Sequence, residues 1–183
     1  MKIVIDNEIL LRSTAQADAK NIFEAFSTQG QYLRQWLPVA ADFTSIVDVE
    51  MFIESAPFDR CNLFTIIYRN EYAGSICLSN ISMTCKRAEI GYWLTKPMQG
   101  NGIMIRSVEA LVKYAFEKFN RLSIKCAVEN VRSKKIPKKL GFTFEGIERD
   151  GEISAYGYYN DLEIYSLLKR DNLNSFCKTI KFT

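Results

Sequence analysis

The chain has 183 residues, 48% of them hydrophobic, and a net charge of +3. That suffices for one domain with a sizeable core and excludes a disordered chain, while so mild a positive charge does not by itself argue for nucleic acid. Histidine is absent, which excludes His-based triads and His-ligated zinc and leaves Glu, Asp, Tyr, Lys, Cys or water as the general base.

Glu8 to Arg12 reads as the first strand. Ser13 with Gln16 forms a capping-box signature ahead of a helix whose apolar side is Ala15, Ala19, Ile22, Phe23 and Phe26. Gln31 to Val39 is aromatic, ends in Leu37-Pro38 and reads as a loop, and Ile46 to Ser55 as a second helix. Leu63 to Arg69, Gly74 to Leu78 and Arg87 to Leu94 read as a strand meander, with Asn70-Glu71 as its first turn. A helix follows Gly102, with Met104, Val108, Leu111, Val112, Ala115, Phe116 and Phe119 on one face. Leu122, Ile124, Cys126 and Val128 alternate as a strand. Ser133 to Leu140 reads as a short helix closed by Gly141, with Pro137 fitting only in its first turn. Strands over about Phe142 to Asp150 and Tyr158 to Lys169 complete a mixed-sheet α/β pattern.

The chain has no repeat, low-complexity tract or linker, so one domain is expected over residues 1–169, with a tail over 170–183. The opening segment, Met1 to Glu8, turns acidic too early for a secretory leader, and no apolar run nears the roughly 20 residues of a membrane helix. Cys61, Cys77, Cys85, Cys126 and Cys177 are dispersed without a C-x-x-C pair and read as the reduced thiols of a cytoplasmic protein.

The most informative stretch is Ala88 to Met104. A strand leads through Pro97 into Gln99-Gly100-Asn101-Gly102, and a helix starts at once. A helix start presents unpaired N–H groups and a partial positive charge. Glycines let that backbone approach a phosphate without a Cβ in the way. A cradle for a nucleotide-like ligand and an ordinary strand-to-helix connection are both compatible with it; a Walker loop is not, since G-x-x-x-x-G-K-[ST] is absent.

Four segments in order carry a resemblance: Ala88 to Leu94 with Gln99 to Met104; Asn130 to Ser133 with Ile136 to Phe142 and Glu145-Gly146; Tyr32 to Pro38; and Tyr159 to Asp161 with Tyr165 to Leu167. Over residues 8–169 the chain resembles the GNAT superfamily of acyl-CoA-dependent N-acetyltransferases, and within it the RimJ/RimL-like branch that acetylates protein N-termini. The resemblance implies a single α/β domain with a central mixed, mostly antiparallel sheet of about seven strands flanked by about four helices. It implies acetyl-CoA as co-substrate, a primary amine as acceptor and direct attack on the thioester without an acyl-enzyme or a metal. Met104 fills the last small position of the family's phosphate loop, Val39 replaces an aromatic, and Lys138 stands where the branch commonly has Glu. The last two departures bear on the acceptor more than on the coenzyme.

By the same resemblance, backbone N–H groups from Gly100 through Asn101, Gly102 and Ile103 to Met104, led by Gln99, would hold the diphosphate. The strand Ile90, Gly91, Tyr92, Trp93 and Leu94 would pair with the amide-bearing arm of the coenzyme. Asn130 would contact the coenzyme and Ser133 would protonate the departing thiolate, although both residues are also common N-caps. Arg132, Lys134, Lys135, Lys138 and Lys139 crowd one short helix, where i, i+4 repulsion would be relieved by a coenzyme phosphate, Lys139 being the one assigned to it; a solvated basic face reads equally well. Glu89 is the base or water-orienting group, with Glu152 and Asp161 as alternatives and a strand-end ion pair to Lys86 or Arg87 as its structural reading. Tyr32, Arg34 and Trp36, and also Tyr156, Tyr158 and Tyr159, either wall the acceptor pocket or pack as loop. An α-amine near pKa 8 needs far less help from a histidine-free site than a lysine near 10.4, which is neutral in only about one part in a thousand. A protein N-terminus is therefore the first acceptor. A polyamine, amino sugar or antibiotic, a non-catalytic acyl-CoA-binding module and a lysine-cluster nucleic-acid binder are the rivals. No nucleic-acid or membrane partner is expected, and a homodimer is left open.

Overall fold

The computed structural model describes residues 1–55 and 61–171. One eight-stranded sheet runs in the order β1-β2-β3-β4-β5-β6-β8-β7. Its strands are β1 (Lys2–Val4), β2 (Ile9–Ser13), β3 (Asn62–Tyr68), β4 (Glu71–Ser82), β5 (Arg87–Leu94), β6 (Arg121–Ala127), β7 (Thr143–Ile153) and β8 (Tyr159–Leu168). Five helices complete it: α1 (Ala19–Thr28), α2 (Gly30–Arg34), α3 (Ile46–Ser55), α4 (Ile103–Ala115) and α5 (Val131–Lys139). The expected α/β class and mixed, mostly antiparallel sheet are present, with one more strand and one more helix than the pattern suggested. The extra strand β1 is only three residues long, too short for an alternation signal, and pairs with β2. The extra helix α2 replaces the loop expected from Gln31 to Val39, and Pro38 opens a 3-10 turn behind it.

The two faces of β5 explain the layering. Ile90 and Leu94 bury against α4, whose Val108, Leu111 and Val112 are fully buried. Each such side chain contributes about 1.5–3 kcal/mol. Trp93 points the other way, into a second cluster with Phe26, Phe43 and Val49 from α1–α3, and its ring centroid is 5.0 Å from that of Phe26. β4 crosses β5 so closely at Gly74 that a Cβ there would stand 2.2 Å from the Trp93 carbonyl oxygen, with φ at +153. A glycine is therefore required beneath the cleft.

Three local expectations are overturned. The Ser13–Gln16 capping box does not form. Ser13 ends β2, and its Oγ accepts from the N-terminal ammonium at 3.1 Å. The entry to α1 is instead held by Asp18, which accepts from the Ala15 N–H at 2.9 Å and from both Arg12 Nη atoms at 2.6 and 2.5 Å. The β3–β4 turn is Arg69-Asn70, both at positive φ, because the strand register closes at Tyr68↔Glu71. α5 begins at Val131, so Pro137 lies in its interior and not in its first turn. The dispersed cysteines are less separate than the sequence suggests, since Cys61, just before β3, and Cys77 of β4 are hydrogen-bonding partners. The expected boundary at residue 169 falls just after β8, and residues 172–183 of the expected tail lie outside the described residues.

Candidate active site

Among the described residues β5 and β6 are the only parallel neighbours, and their ladder holds three pairs: Arg87↔Arg121, Ala88↔Leu122 and Glu89↔Ser123. Beyond them the strands part. One edge of Ile90–Leu94 is left without a ladder partner, and backbone groups in that state seek a hydrogen-bonding ligand or water. The opening is a cleft of about 950 Å³. Its floor is β5, its far wall is Cys126, Ala127 and the start of α5, and its upper end is the loop before α4.

That loop is built for backbone exposure. Gly100 and Gly102 adopt φ of +86 and +69, and a Cβ on either would meet only open space. Gly102 is the N-cap of α4 and carries no side chain to satisfy the helix's first N–H groups. Gln99, Gly100, Gly102, Ile103 and Met104 line the cleft; Asn101 does not, its amide folding back toward the Met98 and Gln99 carbonyls at 3.4 Å each.

On the far wall, Asn130 is the N-cap of α5, accepting from the Ser133 N–H at 3.0 Å. Ser133 is therefore not the cap, and it lines the cleft. It donates to Tyr92 Oη at 3.1 Å and lies 3.2 Å from Cys126 Sγ. Burial pushes the Tyr92 hydroxyl and the Cys126 thiol above their ordinary values, so both stay protonated. Each group then donates once along an ordered chain: the Cys126 thiol to Ser133, Ser133 to Tyr92, and Tyr92 to the Ser133 carbonyl at 3.1 Å.

The basic helix divides. Lys134 pairs with Glu163 at 2.7 Å, so a carboxylate of β8 relieves its i, i+4 conflict with Lys138, whose ammonium stands over the Tyr165 ring. Arg132, Lys135 and Lys139 line the cleft.

Glu89 lines the cleft and is held by Asn80 Nδ2 at 3.2 Å; neither Lys86 nor Arg87 pairs with it among the described residues. Glu152, on β7, lines the same cleft. Its carboxyl is raised above the usual value by burial and then by the nearby Glu89 charge, with Asn160 opposing. Asp161 is elsewhere, accepting from the Asp150 N–H at 2.9 Å as a hairpin brace. Tyr32 and Trp36 wall the cleft while Arg34 does not. Tyr156 and Tyr158, on the β7–β8 connection, and Tyr159, which opens β8, also stand outside it and exposed. The raised carboxyl of Glu152 had no sequence signal of its own, because burial and the Glu89 charge reach it only through the sheet.

The family description "Acetyltransferase (GNAT) domain" matches residues 8–143. The chain is similar to the YdaF protein of Bacillus subtilis (strain 168), provisionally named a ribosomal N-acetyltransferase, at 33% identity over 91% of this chain and 94% of that one. It is similar to the ribosomal-protein-serine acetyltransferase of Escherichia coli (strain K12) at 26% identity over 90% and 94%. Among solved structures, RimL, a ribosomal L7/L12 alpha-N-protein acetyltransferase in complex with coenzyme A, superposes with a TM-score of 0.88 at 25% identity, over 93% of this chain and 99% of that one. The microcin C7 self-immunity acetyltransferase MccE, in complex with acetyl-CoA and AMP, does so with a TM-score of 0.84 at 28% identity, over 90% and 94%.

Proposed function

The chain belongs to the GNAT acetyltransferase family, and from that premise we propose that it moves the acetyl group of acetyl-CoA onto the α-amine of a protein N-terminus. The observation that carries this reading is the unpaired edge of β5 running toward a side-chain-free helix start, because a coenzyme with an amide-bearing arm and a diphosphate needs both. The acceptor follows the relatives that act on ribosomal proteins and the pKa argument above. A cytoplasmic site of action fits such an acceptor.

Backbone groups of Ile90 to Leu94 hold the arm, and N–H groups from Gly100 to Met104 hold the diphosphate. Lys139 and Lys135 add charge at the rim, and Asn130 fixes the start of α5. Reaction rate comes chiefly from holding amine and thioester at attack distance. A β5 N–H stabilises the oxygen of the tetrahedral intermediate. We assign the base to Glu152 rather than Glu89: its raised pKa suits proton removal better, and Glu89 supplies the charge that helps raise it. The Ser133 hydroxyl turns from Tyr92 to give its proton to the thiolate as that leaves, and regains a proton from water in the cleft, to which Glu152 returns the one it took from the amine. Cys126, protonated and hydrogen-bonded, is not a nucleophile here.

MccE favours a second reading, in which the acceptor is a small-molecule amine. Incubating lysate proteins and metabolites with the chain and isotopically labelled acetyl-CoA separates the two. Label on protein N-terminal peptides in mass spectra is the expected result. Label confined to small molecules would favour the second reading, and none anywhere would overturn both.

A further inference from the structure

One carboxamide joins the coenzyme wall of the cleft to its acceptor wall. Gln99 Oε1 accepts from Arg132 Nη1 on α5 at 2.9 Å, while its Nε2 donates to Tyr32 Oη on α2 at 2.8 Å and, at 3.4 Å, to the Leu94 carbonyl. The orientation of the amide is set by chemistry, since a guanidinium can only donate and the oxygen must therefore face it.

Arg132 is poorly placed for its own helix. It is exposed in the first turn of α5, where the helix's partial positive charge opposes a cation, and no described carboxylate pairs with it. A neutral amide oxygen is its partner. Its bond to Gln99 has one charged member and one prong, whereas a diphosphate offers the opposite charge and two prongs for the guanidinium fork. A diphosphate seated beside Gly100 and Gly102 therefore draws Arg132 away from Gln99. The freed carboxamide oxygen must then find a new donor, and the bond from Nε2 to Tyr32 changes with it.

We propose that Arg132, Gln99 and Tyr32 form a relay by which seating the coenzyme's diphosphate resets the acceptor wall at Tyr32. The proposal rests on the reading of the cleft as an acetyl-CoA site. Arg132 would touch the coenzyme, whereas Gln99 and Tyr32 are positioning residues. Coupling between sites is reciprocal, so a change at Tyr32 must alter coenzyme affinity even though Tyr32 belongs to the acceptor wall.

The test is a double-mutant cycle on acetyl-CoA binding by calorimetry, with the full chain and the variants Tyr32→Phe, Arg132→Ala and both together. Tyr32→Phe removes a single oxygen. Arg132→Lys, which keeps the cation and loses the planar fork, is run alongside and substitutes for Arg132→Ala if that variant fails to fold. The expected result is that Tyr32→Phe alone shifts the acetyl-CoA Kd and that the double variant departs from the product of the two single effects by about threefold or more. That departure should vanish in a Gln99→Ala background. Purely multiplicative effects, no shift from Tyr32→Phe, or coupling that survives Gln99→Ala would each overturn the relay while leaving acetyl-CoA binding intact. Absence of acetyl-CoA binding by the unaltered chain would instead overturn the parent reading, and the relay with it.

Discussion

Pro137 shows how single residues at this site answer one another. A proline inside a helix removes an N–H that would have bonded the carbonyl four residues back. Here that carbonyl belongs to Ser133, and the Tyr92 hydroxyl takes the vacant place at 3.1 Å. The same hydroxyl accepts from Ser133 Oγ, so one tyrosine fixes both ends of the residue assigned to protonate the leaving thiolate. Ser133→Ala should lower kcat by about tenfold, at the small end for acid catalysis because a thiol leaves easily, with the acetyl-CoA Kd unchanged. Unchanged turnover at saturating substrate would remove Ser133 from the chemistry. Glu152→Gln should lower kcat/KM by about a hundredfold. In the unaltered chain the base is active when deprotonated, so activity should fall as pH drops through a pKa above the usual carboxylate value; that acidic limb should be missing from the variant's pH profile. Glu152 was one of three carboxylates open to this role in the sequence. Only the approach of β7 to β5 separates it from Asp161, whose carboxylate braces a hairpin.

Among the elements, α4 was the most legible. Its buried residues Met104, Val108, Leu111, Val112 and Ala115 repeat at helical spacing, and the glycines before it mark its start. The entry to α1 was misread for an instructive reason. Ser13 has the right residue type and spacing for a cap, but it ends β2, and the first helical turn opens only at Gln16 with Ala15 as its N-cap. Asp18 serves instead because β2 brings Arg12 onto it, and the carboxylate is only 1% exposed. Burial pushes this carboxyl up, yet the Arg12 guanidinium and the Ala15 N–H outweigh that and hold it below its ordinary value. Asp18→Ala should therefore cost about 2–3 kcal/mol in urea unfolding, since it strands a partly buried guanidinium. The depressed pKa also fixes the pH dependence. The stabilisation is present above the unfolded value near about 3.9 and is lost as pH falls through the lower folded value. Asp18→Asn should flatten the stability profile of the chain in that window. An unaltered acid limb in the variant would show that other carboxylates set it.

For the molecule as a whole, the decisive feature is that β5 and β6 pair for three residues and then separate. The cleft so formed lies between a sheet core packed on α4 and a second apolar cluster under α1–α3. A ligand filling it touches both layers, so binding should stabilise the fold rather than one loop. At a hundred times its Kd, coenzyme A should add about 2.7 kcal/mol, which for a chain of this size raises Tm by very roughly 5–10 °C. A thermal melt with and without coenzyme A measures it, and no shift would mean that the cleft is not a coenzyme site.

The sequence by itself determined the family, the glycine loop before α4 and most of the strands and helices, because these rest on local signals: glycines where the backbone needs positive φ, apolar spacing that matches a helix, alternation that matches a strand. Only the tertiary structure decided that Ser133 is free of capping, that Glu152 faces Glu89, and that Lys134 is consumed by Glu163 while Lys139 is not. Those outcomes depend on which strands lie side by side, and Glu89, far from Glu152 in the chain, helps raise its carboxyl only after the sheet has brought the two together.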